Sequence, residues 1–118
     1  MNNQKLYSPE SLLLNCCEDE SFVHTVVALF LQHMPQYFQE IQDGVATANW
    51  YAVYRNAHTM KASIDLFNII PLKTLIREIE RQGKAEMPES SLPMQLTQLK
   101  DLLYDCMKEL RKDYGIEN

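Results

Sequence analysis

The sequence predicts an all-α domain, an antiparallel four-helix bundle running up-down-up-down with a short extra helix at its N-terminal end. Apolar residues recur at spacings of three and four over four long stretches, and no stretch alternates as a half-buried strand does. Glycine is scarce, 3 in 118 residues, which favours helix over turn-rich architecture. The links between the periodic stretches are short, which makes successive helices antiparallel neighbours. A chain of 118 residues can close one core unaided, so a single domain over 1–118 is expected, with its core roughly 20–113.

The elements follow in order. Ser8-Pro9-Glu10 is a helix start, with the serine placed to cap and proline at the first helical position, leading into Leu12, Leu13 and Leu14. Adjacent cysteines rarely bridge, so Cys16-Cys17 reads as a pair of buried small hydrophobes. Glu18-Asp19-Glu20 sets negative charge at the positive end of the next helix. That helix carries Phe22, Val23, Val26, Val27, Leu29, Phe30 and Met34, then Tyr37, Phe38, Ile41 and Val45 beyond Pro35. One long kinked helix over about 20–47 is expected, a break at Pro35 being the alternative. Asn49 caps a third helix with Trp50, Val53, Tyr54, Ala57, Met60, Ile64 and Phe67 on one face. Pro71 opens a fourth, with Leu72, Leu75, Ile76 and Ile79, and Gly83 is suited to its left-handed stop. Lys84 to Pro93 then reads as the longest loop. Leu92, Leu96, Leu99, Leu102, Leu103, Cys106 and Leu110 form the last amphipathic helix, with Lys108, Arg111 and Lys112 near its negative end.

Composition excludes several function classes. A net charge of −5 with no stripe of Lys and Arg argues against nucleic acid. The longest apolar run, Val26 to Leu31, is far too short to cross a bilayer. No secretory leader pattern precedes the odd set Cys16, Cys17 and Cys106, so reduced thiols in a cytoplasm are expected. Acidic residues crowd the first 43 positions, so a partner met there should present positive charge. No Gly-rich phosphate cradle occurs, which leaves no nucleotide site. His24 and His33, nine apart on one helix, cannot share a metal and are structural. Paired Glu-x-x-His motifs for a di-iron bundle are absent.

The chemistry concentrates in Asn56 to Asn68, NAHTMKASIDLFN. On a wheel stepping about 100° per residue, His58 lies a quarter-turn or more from the centre of the apolar face. It therefore sits at the edge of the core or in solvent, one turn from Tyr54 and Ala62, with Lys61 three residues on. An imidazole with a pKa of about 6.5 is nucleophilic near neutral pH without a strong base.

The run His58-Thr59-Met60-Lys61-Ala62-Ser63 resembles the His-x-hydrophobic-Lys-Gly pattern of histidine-containing phosphotransfer (HPt) domains of multistep His-Asp phosphorelays. Phe30, Pro35 and Ile41 look like that family's preceding helix, Asn49-Trp50 like its link, and Arg77-Glu78-Ile79-Glu80 like the helix after it. The likeness runs from about Phe22 to Leu110. Ala62 and Asn68 stand where the family usually has glycine; alanine still leaves the imidazole approachable, and asparagine tolerates left-handed backbone.

The resemblance implies that His58 accepts a phosphoryl group on Nε2 from a receiver-domain aspartate and passes it to a second receiver. Lys61 would offset phosphoryl charge, Ser63 would play a minor polar part, and Glu80 would accept the Nδ1 hydrogen of His58. The chain would be a relay intermediate and not an enzyme, monomeric and with no cofactor of its own; Met1 and the ordered-looking ends favour a free-standing shuttle over a piece of a hybrid kinase. Mg²⁺ would sit on the partner. Its partners would be response-regulator receiver domains and a hybrid sensor histidine kinase, docking on Tyr51, Tyr54 and exposed apolar residues of the early helices. The competing reading is a non-transferring interaction module that binds receivers or a kinase; a metal- or cofactor-binding bundle is a third.

Overall fold

Side-chain caps fix where three of the helices begin in the computed structural model, which describes residues 5–117. Helix α1 (Pro9–Asn15) starts from Ser8, whose side chain accepts from the Ser11 amide, with proline in the first turn. Helix α2 (Glu20–Ala46) starts from Asp19, whose carboxylate takes the amides of Ser21 and Phe22. Helix α3 (Trp50–Leu66) starts from Asn49, which accepts from the Ala52 amide. Helix α4 (Ile70–Ala85) again carries proline in its first turn, and α5 (Leu92–Tyr114) ends at a left-handed Gly115 with Arg111 and Lys112 in its last turn. There is no strand among the described residues. Helix α2 runs unbroken through Pro35, so the alternative of two helices there does not occur.

The four long helices close a ring in which α2 packs on α3, α3 on α4, α4 on α5 and α5 back on α2, while the diagonal pairs do not approach. This is the expected antiparallel bundle. Its interior is filled by the predicted periodic residues, among them Val27, Met34 and Ile41 of α2, Met60 and Ile64 of α3, Ile76 and Ile79 of α4, and Leu99, Leu103 and Leu110 of α5. Phe30 and Phe67 meet across the α2–α3 seam with ring centroids 4.3 Å apart.

Helix α1 folds over one end, with Leu12 in the core. It is tied to the turn between α3 and α4: Asn15 Nδ2 donates to the Leu66 carbonyl and the Ser8 amide to the Phe67 carbonyl. The segment before α1 is clasped to the far end of the chain. The Tyr7 hydroxyl donates to Asp113 at 2.6 Å, Lys5 pairs with the same carboxylate at 2.7 Å, and the Leu6 amide donates to Glu109.

Three expectations need correction. Gly83 does not end α4, which continues to Ala85 and turns off at a left-handed Glu86. Its role is close approach: a Cβ on Gly83 would lie 2.7 Å from the Tyr54 amide nitrogen and 3.0 Å from its Cα. The interhelical loop is accordingly shorter, covering 86–91, because Lys84 and Ala85 belong to α4 and Leu92 and Pro93 to α5. The two adjacent cysteines also part company. Cys16 is buried, whereas Cys17 is exposed in the left-handed region at φ 57°.

Asn68 links α3 to α4 at φ 52°, the conformation that asparagine tolerates, and its amide lies 3.4 Å from Ser11 Oγ. Replacing it tests this directly. In denaturant titrations Asn68→Gly should leave the unfolding free energy within about 0.5 kcal/mol of wild type, whereas Asn68→Ala should lose about 1 kcal/mol to left-handed strain. Equal stabilities would show that the turn relaxes.

Candidate functional site

Helix α3 buries Val53, Ala57, Met60 and Ile64 along one stripe, which turns position 58 outward. The His58 side chain is 60% exposed. Position 80 lies on the flank of α4 that faces α3, one residue beyond the buried Ile79, so its carboxylate reaches back across the helix pair. Glu80 Oε2 lies 2.7 Å from His58 Nδ1, and Glu80 Oε1 lies 2.9 Å from Lys61 Nζ. One carboxylate therefore holds both α3 side chains, and it is itself only 13% exposed.

An ionised carboxylate can only accept hydrogen bonds, so the proton between Glu80 and His58 belongs to Nδ1. In the neutral ring that leaves Nε2 unprotonated, with its lone pair on the solvent side. Burial pushes the Glu80 carboxyl up, but hydrogen bonds and charge from Lys61 and His58 outweigh it, and the group titrates below its ordinary range. Glu80 does not pair with Arg77 or Lys84. Arg77 is bound to Asp65 at 2.7 Å, and the Lys84 ammonium stands 6.0 Å over the Tyr54 ring.

Tyr54 is half-buried and tilts toward His58, with ring centroids 5.9 Å apart. The Lys84–Tyr54–His58 stack could not be read along the chain, because it depends on how closely Gly83 lets α4 approach α3. Ala62 is exposed and Ser63 half-buried. Ser63 stands apart from the histidine–carboxylate cluster, lining a groove between α2 and α3 with Leu29, Phe30, His33 and Leu66. Phe22 and Leu29, part of the apolar periodicity of α2, are about half exposed; with Val26 and His33 they form a stripe down the open side of α2. Tyr51 is exposed as well.

His24 hydrogen-bonds the Tyr114 carbonyl, and no cluster of His, Cys, Asp and Glu suited to a metal occurs among the described residues. Among those residues, no helix is long and apolar enough to cross a membrane.

A closed ring of four antiparallel helices with a short capping helix is an up-down-up-down four-helix bundle. Residues 25–112 match the Hpt domain family, and the chain belongs to it, which makes it a histidine phosphotransfer protein of the phosphorelay class. The fold is shared with histidine-containing phosphotransfer protein B (HptB) from Pseudomonas aeruginosa PAO1. That crystal structure superposes with a TM-score of 0.82 at 11% identity, over 95% of this chain and 96% of that one. No curated protein matches the sequence. Hpt domains are phosphotransfer intermediates that work with receiver domains and kinases.

Proposed function

We propose that the chain relays a phosphoryl group between aspartates of response-regulator receiver domains, and that His58 Nε2 carries it. The observation that supports this reading is the bond from His58 Nδ1 to Glu80 at 2.7 Å, on a side chain otherwise open to solvent. It directs the lone pair of Nε2 at an incoming partner. The Nε2 lone pair attacks phosphorus, the P–O bond to the donor aspartate breaks, and that electron pair leaves on the aspartate carboxylate. Nδ1 keeps its proton, so the ring becomes cationic as the N–P bond forms. The anionic Glu80 stabilises that charge where it develops. Onward transfer runs in reverse, with neutral imidazole as the leaving group and the acceptor aspartate as nucleophile.

The receiver supplies the Mg²⁺ and this chain needs no cofactor. Lys61 uses one of its three donors on Glu80, and another can turn to the phosphoryl oxygens. The receiver docks on the α2–α3 face, over the stripe of Phe22, Val26, Leu29 and His33 and the groove beside Ser63. A modest, transient interface suits a protein that must release one partner before meeting the next. The chain acts as a monomer in the cytoplasm, where its three free thiols stay reduced.

Glu80→Gln tests the positioning role. Neutral glutamine can accept from Nδ1 but cannot balance the imidazolium, so transfer should slow roughly 10-fold or more, the scale seen when a metal-ligating histidine loses its carboxylate partner. Stability should shift with pH in a defined direction. A carboxyl held below its ordinary range stabilises the fold above the unfolded value of about 4.3, and that contribution is lost as pH falls through the lower folded value. The variant should therefore lose less stability than wild type on acidification below about pH 4. Parallel acid limbs, followed by circular dichroism, would remove Glu80 from the cluster.

A further inference from the structure

Two grooves of different character flank the helix that carries His58. The apolar one, beside Ser63, is described above. The second opens toward the N-terminal side of His58, where Tyr37 and Glu40 of α2 face Tyr51, Arg55, Asn56 and Thr59 of α3. Tyr37 lines both, so the two form one continuous surface. The second groove is polar, with hydroxyls, an amide and one charge of each sign.

Glu40 and Arg55 are exposed, and neither makes an ion pair with the other or with any other described residue. On the α4 side of His58 most charges are committed, Lys61 to Glu80, Arg77 to Asp65, and Arg81 to Glu78 and Glu89, while Lys84 makes no ion pair with any described residue and stands over the Tyr54 ring. Arg55 stands one turn before His58 on the same helix and lines the groove, within reach of a partner docked over the imidazole.

An apolar groove rewards any partner with an apolar projection and rejects few. Unpaired charges behave differently. A matching charge speeds encounter, and a like charge directly opposite is penalised, which is how related partners are told apart. Resting on the relay function proposed above, we infer that the polar groove is where this domain discriminates among receivers. The favoured receiver presents an acidic side chain to Arg55 and a basic one to Glu40, while the apolar groove holds all receivers alike.

The experiment uses a panel of purified receiver domains, each phosphorylated with acetyl phosphate and Mg²⁺. Initial rates of transfer are measured to wild type, Arg55→Glu, Glu40→Lys and Leu29→Ala at low and high salt. Both charge reversals should slow the best receiver by roughly 5-fold at low salt, the scale of an exposed ion pair, with the difference shrinking as salt screens it. They should also reorder the panel. Leu29→Ala, which trims the apolar groove at an exposed position, should slow every receiver by a similar factor and keep the order. Charge reversals that leave the order unchanged, or a reordering caused by Leu29→Ala, overturn the inference. A wild type that accepts phosphate from no receiver overturns the relay reading itself, and the inference falls with it.

Discussion

His58→Gln should accept no phosphoryl group from any phosphorylated receiver, while the wild type becomes labelled with phosphate that is acid-labile and base-stable. The loss should be complete within detection, because the substitution removes the reacting nitrogen and not merely a supporting contact. The variant should remain folded. The side chain is 60% exposed and sits off the buried stripe of α3, so stability should change by no more than about 0.5 kcal/mol. Persistent labelling of the variant would move the phosphoacceptor elsewhere. Absence of label on the wild type with every competent receiver would reduce the domain to a binding module.

The second large effect belongs to Gly83. A Cβ there would meet the Tyr54 amide nitrogen at 2.7 Å, Tyr54 Cα at 3.0 Å and Val53 Cγ1 at 3.1 Å. Two of these are backbone atoms of α3 and cannot swing aside, so α4 must retreat. Alanine in a helix interior ordinarily gains about 0.5–1 kcal/mol over glycine. Here overpacking should outweigh that gain, and Gly83→Ala should lose about 1–3 kcal/mol. For a domain of this size that lowers the melting temperature by at least several degrees. Transfer should suffer too, because Glu80 lies one turn away on the same helix and must still reach His58 across the same gap. A Gly83→Ala protein as stable as wild type would show that the helix pair has slack.

Gly83 also shows where the sequence stops being legible. Helix positions follow from periodicity and caps, both local properties, and Ser8, Asn49 and the apolar stripes lie where they were expected. A glycine near a helix end carries two meanings, a left-handed stop or a close crossing, and the choice depends on a neighbour 29 residues away in the chain. Periodicity could place His58 at the edge of the core, but it could not join His58 to Glu80, 22 residues on. That pairing was suggested by the family pattern, and the crossing of α3 and α4 supplies its geometry. The grooves beside α3 were less accessible still, since each is built from two helices. Phe22 and Leu29 look like core residues in the sequence because the core and the open side of α2 are both apolar. Cys17 was misread because a turn, and not a helix face, decides its exposure.

The clasp of Lys5 and Tyr7 on Asp113 brings the two ends of the described chain side by side, at a separation of more than 100 residues. Topologically the stretch from Lys5 to Asp113 is nearly a closed loop. New termini opened between α4 and α5, with residues 5 and 117 joined by a short flexible linker, should yield a permuted protein that unfolds cooperatively close to the wild-type temperature. The same adjacency would let the bundle be spliced into a surface loop of another protein while the α3 face stays accessible. A permutant that fails to fold would mean that the clasp forms only late, on a bundle whose helix order is already fixed.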